Sequence, residues 1–127
     1  VPVVGYGTDD FPAFYSRTSG HAVPMRCDTP EEVAKLMKAK WSMGLKGGVV
    51  VANPIPESSE IIASEIAPVI EKAVAEAARQ NVSGKNVTPF LLAKLAEVTG
   101  GRSLKANIAL VKHNAFVAAE IAKAFVK

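Results

Sequence analysis

The chain has 127 residues, enough for one domain with a buried core and too few for two of ordinary size. Apolar residues make up 49% of it, and fifteen basic against twelve acidic side chains leave a net charge of +3 scattered along the sequence. No block of like charge argues for a nucleic-acid partner, and no apolar run is long enough to span a bilayer, so both partners are excluded from the expectations. The mild positive charge would suit an anionic phosphate substrate, but it is equally the charge of an ordinary protein surface. Cys27 is the only cysteine. It can form no internal disulfide, which fits a reducing compartment, and cytoplasmic is the expected location. The first residues do not read as a signal peptide. The chain begins at Val1, without an initiator methionine, so a processed or truncated product is expected.

Residues 1–8 read as a strand, built on the short apolar run Pro2-Val3-Val4-Gly5-Tyr6. A loop rich in aromatics follows, Thr8-Asp9-Asp10-Phe11-Pro12-Ala13-Phe14-Tyr15. Loops at the carboxyl ends of strands form the ligand crevice in open α/β sheets. The loop therefore reads either as part of a site or as an aromatic plug closing one end of a sheet. Thr8, Asp9 and Asp10 stand at that strand end. Consecutive residues in a strand-like segment point to opposite sides, so a metal site built on both carboxylates is not expected. A second short strand, roughly residues 21–26, contains Pro24 and reads as an edge strand. Cys27, with no histidine close in sequence, reads as a buried structural thiol.

Thr29-Pro30-Glu31-Glu32 opens a helix, with Thr29 as N-cap, Pro30 in the first position and Glu32 completing a capping box. Val33, Leu36, Met37, Lys40 and Trp41 follow at helical spacing, and Gly44 stops the helix. Met37 and Trp41 read as core. Val49-Val50-Val51-Ala52 is too short for a helix and reads as a central strand buried on both faces. It ends in Asn53-Pro54-Ile55-Pro56, whose prolines stiffen the exit and aim Asn53 at the carboxyl edge of the sheet. A helix is expected over 64–80, with Pro68 near its first turn. A loop over 81–86 pivots on Gly84, where Lys85 could reach a phosphate or be an ordinary surface lysine. Thr88-Pro89 starts a short helix that runs to Val98 and is stopped by Gly100-Gly101. Ser103 caps the last helix, which continues to the terminus.

At about 100° per residue, Lys105, Lys112, Phe116, Glu120, Lys123 and Lys127 share one wet face of that last helix. Leu110, Ala118, Ile121 and Phe125 form the middle of the opposite, apolar arc. Asn107 and Asn114 project into the same arc, nearly superposed. A buried amide costs roughly 1–3 kcal/mol unless it finds partners, so each needs either backbone groups or a ligand. His113 lies off the centre of that arc and reads as a boundary residue. No His-x-x-x-His or Cys-x-x-Cys spacing appears, and no Gly-x-Gly-x-x-Gly or P-loop cradle. Strands precede helices in alternation, so the fold class is α/β, a layered α/β/α arrangement. With only about three strands, the chain looks like the closing section of a larger sheet domain. Residues 1–8 and 49–52 should then be neighbours in that sheet.

Four segments in one order carry a resemblance: Thr8–Tyr15, Val50–Pro56, Val87–Lys94 and Ser103–Val111. Together they resemble the C-terminal portion of the pseudouridine-5'-phosphate glycosidase, or indigoidine synthase A-like, family. The resemblance covers residues 1–127 as one C-terminal segment of a single domain. It implies reversible cleavage of the C-glycosidic bond of pseudouridine 5'-phosphate to uracil and ribose 5-phosphate. It also implies an imine-forming lysine, an acidic proton donor and a divalent manganese, all held by segments upstream of Val1. Asn107 matches the asparagine of the family's Ser-Leu-x-x-Asn-Ile pattern and is the implied catalytic and substrate-binding residue. Its amide suits a pyrimidine edge, offering a donor and an acceptor. Asn53 and Thr8 are further substrate-binding candidates. Two departures stand out, since Asp10 replaces the usual glutamate and His113 a frequent asparagine. The implied partners are a small-molecule nucleotide, the remaining N-terminal part of the enzyme, and two further copies in a homotrimer. The alternative reading is a non-catalytic binding or scaffold remnant of the same fold.

Overall fold

In the computed structural model, which describes all residues 1–127, three parallel strands and four helices form an α/β arrangement. The strands are β1 (Val3–Tyr6), β2 (Arg26–Cys27) and β3 (Val50–Ala52), in the spatial order β2-β1-β3. Residues Val3, Val4 and Gly5 pair with Val50, Val51 and Ala52, so the first and third strands are neighbours as expected. β1, not β3, is the central strand. β3 lies at an open edge, and Val50 is 45% exposed, so the expectation of a strand buried on both faces fails within this chain. A continuous apolar run reports that a strand can be covered on both faces, not that this chain supplies the cover. β2 is an edge strand as expected, but it lies at 26–27 because Pro24 cannot donate to a ladder. Pairing begins where Gly5 N–H reaches the Met25 carbonyl (2.8 Å), while Ala22 bridges antiparallel to Asp10.

Helix α1 (Pro30–Ser42) starts as its sequence directs, with the Thr29 hydroxyl accepting from Glu32 N–H at 3.2 Å. Glu32 reaches one residue further back than a capping box requires and accepts from Asp28 N–H at 2.6 Å. Helix α2 (Ala63–Arg79) begins without a side-chain cap, and Pro68 falls in its second turn rather than its first. The helix tolerates that by leaving the Ser64 carbonyl without its usual donor. α2 ends in a Schellman turn, with Val82 N–H on the Ala77 carbonyl (2.9 Å) and Asn81 N–H on that of Ala78 (3.1 Å). Asn81 accordingly takes a left-handed φ of 55°.

Helix α3 (Val87–Val98) begins earlier than Thr88 would set it, because a 3-10 turn at Gly84–Asn86 leads directly into it. Pro89 is thereby third in the helix, still within the turn whose N–H groups lack intrahelical acceptors. α3 closes in a second Schellman turn at Gly100 and Gly101. Helix α4 (Arg102–Val126) has Gly101, not Ser103, as its N-cap. The capping oxygen comes from the previous helix: Thr99 Oγ1 accepts from Ser103 N–H at 3.0 Å and donates to the Leu95 carbonyl at 2.6 Å.

Two cores result. Val4, Cys27, Val33, Val117 and Ile121 pack α1 and the second half of α4 onto the Val4 face of the sheet. Tyr15, Ile55, Ile61, Ile66, Ala73, Leu95, Ala106 and Leu110 form the other, from α2, α3 and the first half of α4. α4 therefore belongs to both, and its middle turn passes the boundary between them. Cys27 is a buried free thiol as expected, and burial pushes it up, with Glu32 and Asp28 adding to the shift. Lys40 is buried too, its ammonium donating to the carbonyls of Leu45 (3.4 Å), Lys46 (2.6 Å) and Gly47 (3.1 Å). That lysine fixes the turn between α1 and β3.

Candidate functional site

Parallel strands deliver their carboxyl ends to one edge, so Thr8–Asp10 after β1 and Asn53 after β3 emerge together. What each residue does there differs. The Thr8 hydroxyl donates to the Asp10 carbonyl (2.9 Å) and accepts from Asp10 N–H (3.1 Å), a closed local turn. Asp9 pairs with Arg26 at 2.6 Å, and Arg26 pairs with Asp28 at 2.7 Å. Asp10 accepts from Gly20 N–H (3.2 Å) and Ser19 Oγ (3.3 Å). Desolvation works to raise the Asp10 pKa, but hydrogen bonds from Gly20, Ser19 and His21 outweigh it and hold the carboxyl below its ordinary value. The two acids thus face apart and secure the loop.

Asn53 reaches α4. Its Nδ2 donates to Asn114 Oδ1 and lies against His113 Nδ1, each at 2.9 Å. Its Oδ1 is buried without a partner. Asn53 and Asn114 stand at the polar end of a cavity of about 580 Å3 between α1, β3 and α4, otherwise walled by residues such as Met37, Val51 and Phe125. Trp41 is on that wall as well, edge-on to Phe125 at 5.4 Å and 39% exposed, so it is a cavity residue rather than a core residue.

Asn107 stands elsewhere. It lines a separate, mostly apolar cavity of about 360 Å3 between the aromatic loop, α2 and α3, which includes Phe14, Tyr15, Ser16 and Thr88. Its side chain makes no hydrogen bond within the protein, in contrast to that of Asn114. Seven residues of helix separate the two amides by roughly 10 Å along the axis.

The buried seam of α4 runs through Ser103, Ala106, Leu110, Val117, Ile121 and Ala124. It is rotated from the expected arc, since Ala118 and Asn114 are exposed and Asn107 and Phe125 are half-buried. The apolar arc in the sequence is wider than the stripe this chain covers, so its centre is not the centre of contact.

The aromatic loop sends one ring into the core and sets another against the second cavity. Tyr15 is 4% exposed in the core, and its carbonyl accepts from Ile61 N–H at 2.8 Å. Burial pushes its phenol up, opposed by the Ser103 hydroxyl. Phe14 is the exposed edge of the cavity wall, packed at 4.8 Å against the Tyr15 ring. Arg17, which the sequence did not single out, ties the loop down by donating to the Ile55 carbonyl (2.6 Å) while its N–H donates to Glu60 (2.9 Å). His113 is half-buried at the boundary as expected, but sequence reasoning gave it no partner. Its position beside Asn114 was the available signal, but the strand end it meets lies sixty residues earlier.

Of the expected site residues, the structure joins Asn53 to Asn114, places Asn107 in a cavity of its own, and spends Thr8 in a turn. No three His, Cys, Asp or Glu side chains converge anywhere in the chain. With Asp9 and Asp10 already engaged, the residues present do not fit a divalent ion. No helix is long and apolar enough to cross a membrane.

Comparison with known proteins covers the chain almost end to end. The family model for indigoidine synthase A like protein matches residues 1–124. A curated pseudouridine-5'-phosphate glycosidase from Lysinibacillus sphaericus is 60% identical over 125 residues, which are 98% of this chain and 41% of that protein. The crystal structure of an indigoidine synthase A-like protein from Thermotoga maritima superposes with a TM-score of 0.84 at 48% identity, over 96% of this chain and 40% of its own. The prealnumycin C-glycosynthase AlnA, solved in complex with ribulose 5-phosphate, superposes with a TM-score of 0.85 at 32% identity, over 98% and 41%. The chain thus spans about two-fifths of the length of the relatives it matches. Sequence and fold agree over nearly every residue, and the chain belongs to the indigoidine synthase A-like family.

Proposed function

We propose that this chain is the C-terminal portion of a pseudouridine-5'-phosphate glycosidase, an enzyme that reversibly cleaves the C-glycosidic bond of pseudouridine 5'-phosphate to uracil and ribose 5-phosphate. The observation that carries the reading is Asn107. It is a half-buried amide in an apolar cavity, with no protein partner, at the position where a substrate edge would satisfy it. The names of the curated relatives support the reaction, and AlnA's bound ribulose 5-phosphate supports a pentose phosphate as the class of ligand.

In this reading the chain supplies the asparagine wall and the aromatic loop, and the reacting lysine comes from the remaining N-terminal part of the enzyme. No lysine here stands in for it, since no lysine lines either cavity and the buried Lys40 is committed to three carbonyls. Manganese would likewise be held by residues outside this chain, and a cytoplasmic homotrimer is the proposed assembly. The non-catalytic alternative predicts that the chain never contributes to turnover. The test is co-expression of this chain with the N-terminal part of a family enzyme, followed by assay of uracil release. The chain alone should leave pseudouridine 5'-phosphate intact and the reassembled protein should cleave it. Turnover by the chain alone would refute the division of labour, and an inactive but fully assembled complex would refute the assignment.

A further inference from the structure

Both acceptors that meet Asn53 Nδ2 lie on adjacent residues of α4, and this fixes their chemistry. An amide nitrogen has two hydrogens and no lone pair to offer. At 2.9 Å, His113 Nδ1 must therefore accept, which places the imidazole proton on Nε2 and leaves the ring neutral. Asn114 Oδ1 takes the second hydrogen at the same distance. We propose that His113 is a positioning residue, which in its neutral Nε2–H form works with Asn114 to hold the side chain of Asn53 at the carboxyl edge of β3 and lets it go on protonation. With both amide hydrogens committed, Asn53 Oδ1 has no protein partner. Toward water or any incoming group, the residue is then an acceptor only, suited to an N–H or O–H donor.

Protonation of His113 puts an N–H where the lone pair was, and two donors then face each other. Turning the Asn53 amide over would meet the new N–H with Oδ1. It would also bring a second acceptor against Asn114 Oδ1 and leave the NH2 group in the buried, partnerless position. With Asn114 held in its present orientation, neither arrangement keeps both hydrogen bonds. The ionisable groups of the elements packed around α4 are Glu31, Glu32, Lys35, Lys38 and Lys40 on α1, Glu57 in the turn after β3, and Lys94 and Glu97 on α3. Lys112 and Glu120 lie on α4 itself. None of them forms an ion pair or hydrogen bond with the imidazole, so no carboxylate is in place to hold a protonated ring.

The clasp stands on this geometry alone, and only its consequence for substrate rests on the enzymatic reading. It is tested by NMR of the 15N-labelled chain between pH 8 and pH 5. At pH 8 the long-range imidazole spectrum of His113 should show the Nε2–H tautomer, and the Asn53 side-chain NH2 pair should be dispersed and slow to exchange. On acidification the Asn53 signals should collapse with the same midpoint as His113 titration. His113→Asn, which keeps an acceptor, should retain the dispersed signals at both pH values, whereas His113→Phe should lose them at both. An Nδ1–H tautomer at pH 8, or Asn53 signals that ignore the protonation of His113, would overturn the proposal. The wild-type titration decides the matter even where a variant fails to fold.

Discussion

Gly5 is where the structure makes its sharpest demand on one residue. A Cβ built there would lie 2.3 Å from the Thr8 carbonyl oxygen and 2.8 Å from Val23 Cγ2. Ordinary carbon–oxygen contacts begin at about 3.3 Å, so Gly5→Ala must drive the Thr8 carbonyl back by roughly 1 Å. The obstacle is backbone, and it cannot swing aside as a long side chain would. The strand itself cannot retreat either, because Gly5 N–H and Gly7 N–H are bonded to Met25 and Cys27 at 2.8 Å. Overpacking of a tight interior costs about 1–3 kcal/mol, and this case belongs at the upper end. For a domain of this size about 3 kcal/mol lowers Tm by roughly 10 °C. Gly48→Ala is the control, since nothing lies within 4 Å of its added Cβ and its φ is not left-handed. It should stay within about 1 kcal/mol of the parent, on the stabilising side if anything. Thermal and urea melts of both variants measure the difference. If Gly5→Ala melts within a couple of degrees of the parent, the close return of the chain at Thr8 is wrong, and with it the placement of the aromatic loop.

Three further outcomes follow from the same reasoning. In the reassembled enzyme, Asn107→Ala should lower kcat/KM by about ten- to a hundredfold if its hydrogen bond is made in the transition state, with little change in Tm; early melting with normal rate constants would make it a structural residue. The Asp10 carboxyl is held below its unfolded value, so its contribution to stability is present above the ordinary carboxylate range and lost as the pH falls through the folded pKa. Asp10→Asn should therefore melt below the parent at pH 7, and the gap should close toward pH 2.5. Lys40→Met strips the donors from three carbonyls and should cost about 1–3 kcal/mol, whereas Lys35→Met on the exposed side of α1 should cost less than about 0.5 kcal/mol.

Local rules fixed what is local. Thr29 and Pro30 start α1 where their side chain and ring demand it, and Gly100 ends α3 in a left-handed turn. Three strand signals and four helix signals were enough for the α/β class, and the short run of valines paired with β1 in parallel. Where a neighbour could do the same work, the local reading slipped. Thr99 from the preceding helix replaced Ser103 as the capping oxygen, and a 3-10 turn replaced Thr88 as the start of α3.

The amino-acid sequence by itself thus determined the element types, the family and the identity of the polar residues on α4. The tertiary structure decided which of those residues meet. Asn107 and Asn114 look equivalent on a helical projection, yet one stands unpartnered in a cavity and the other holds Asn53. His113 is the boundary residue that its place on the helix implied, but only the fold shows β3 ending against it. The reason is that periodicity records how apolar each direction around a helix is. Which element covers that direction depends on strand order and on where α4 crosses from one core to the other, and those contacts join residues some sixty positions apart.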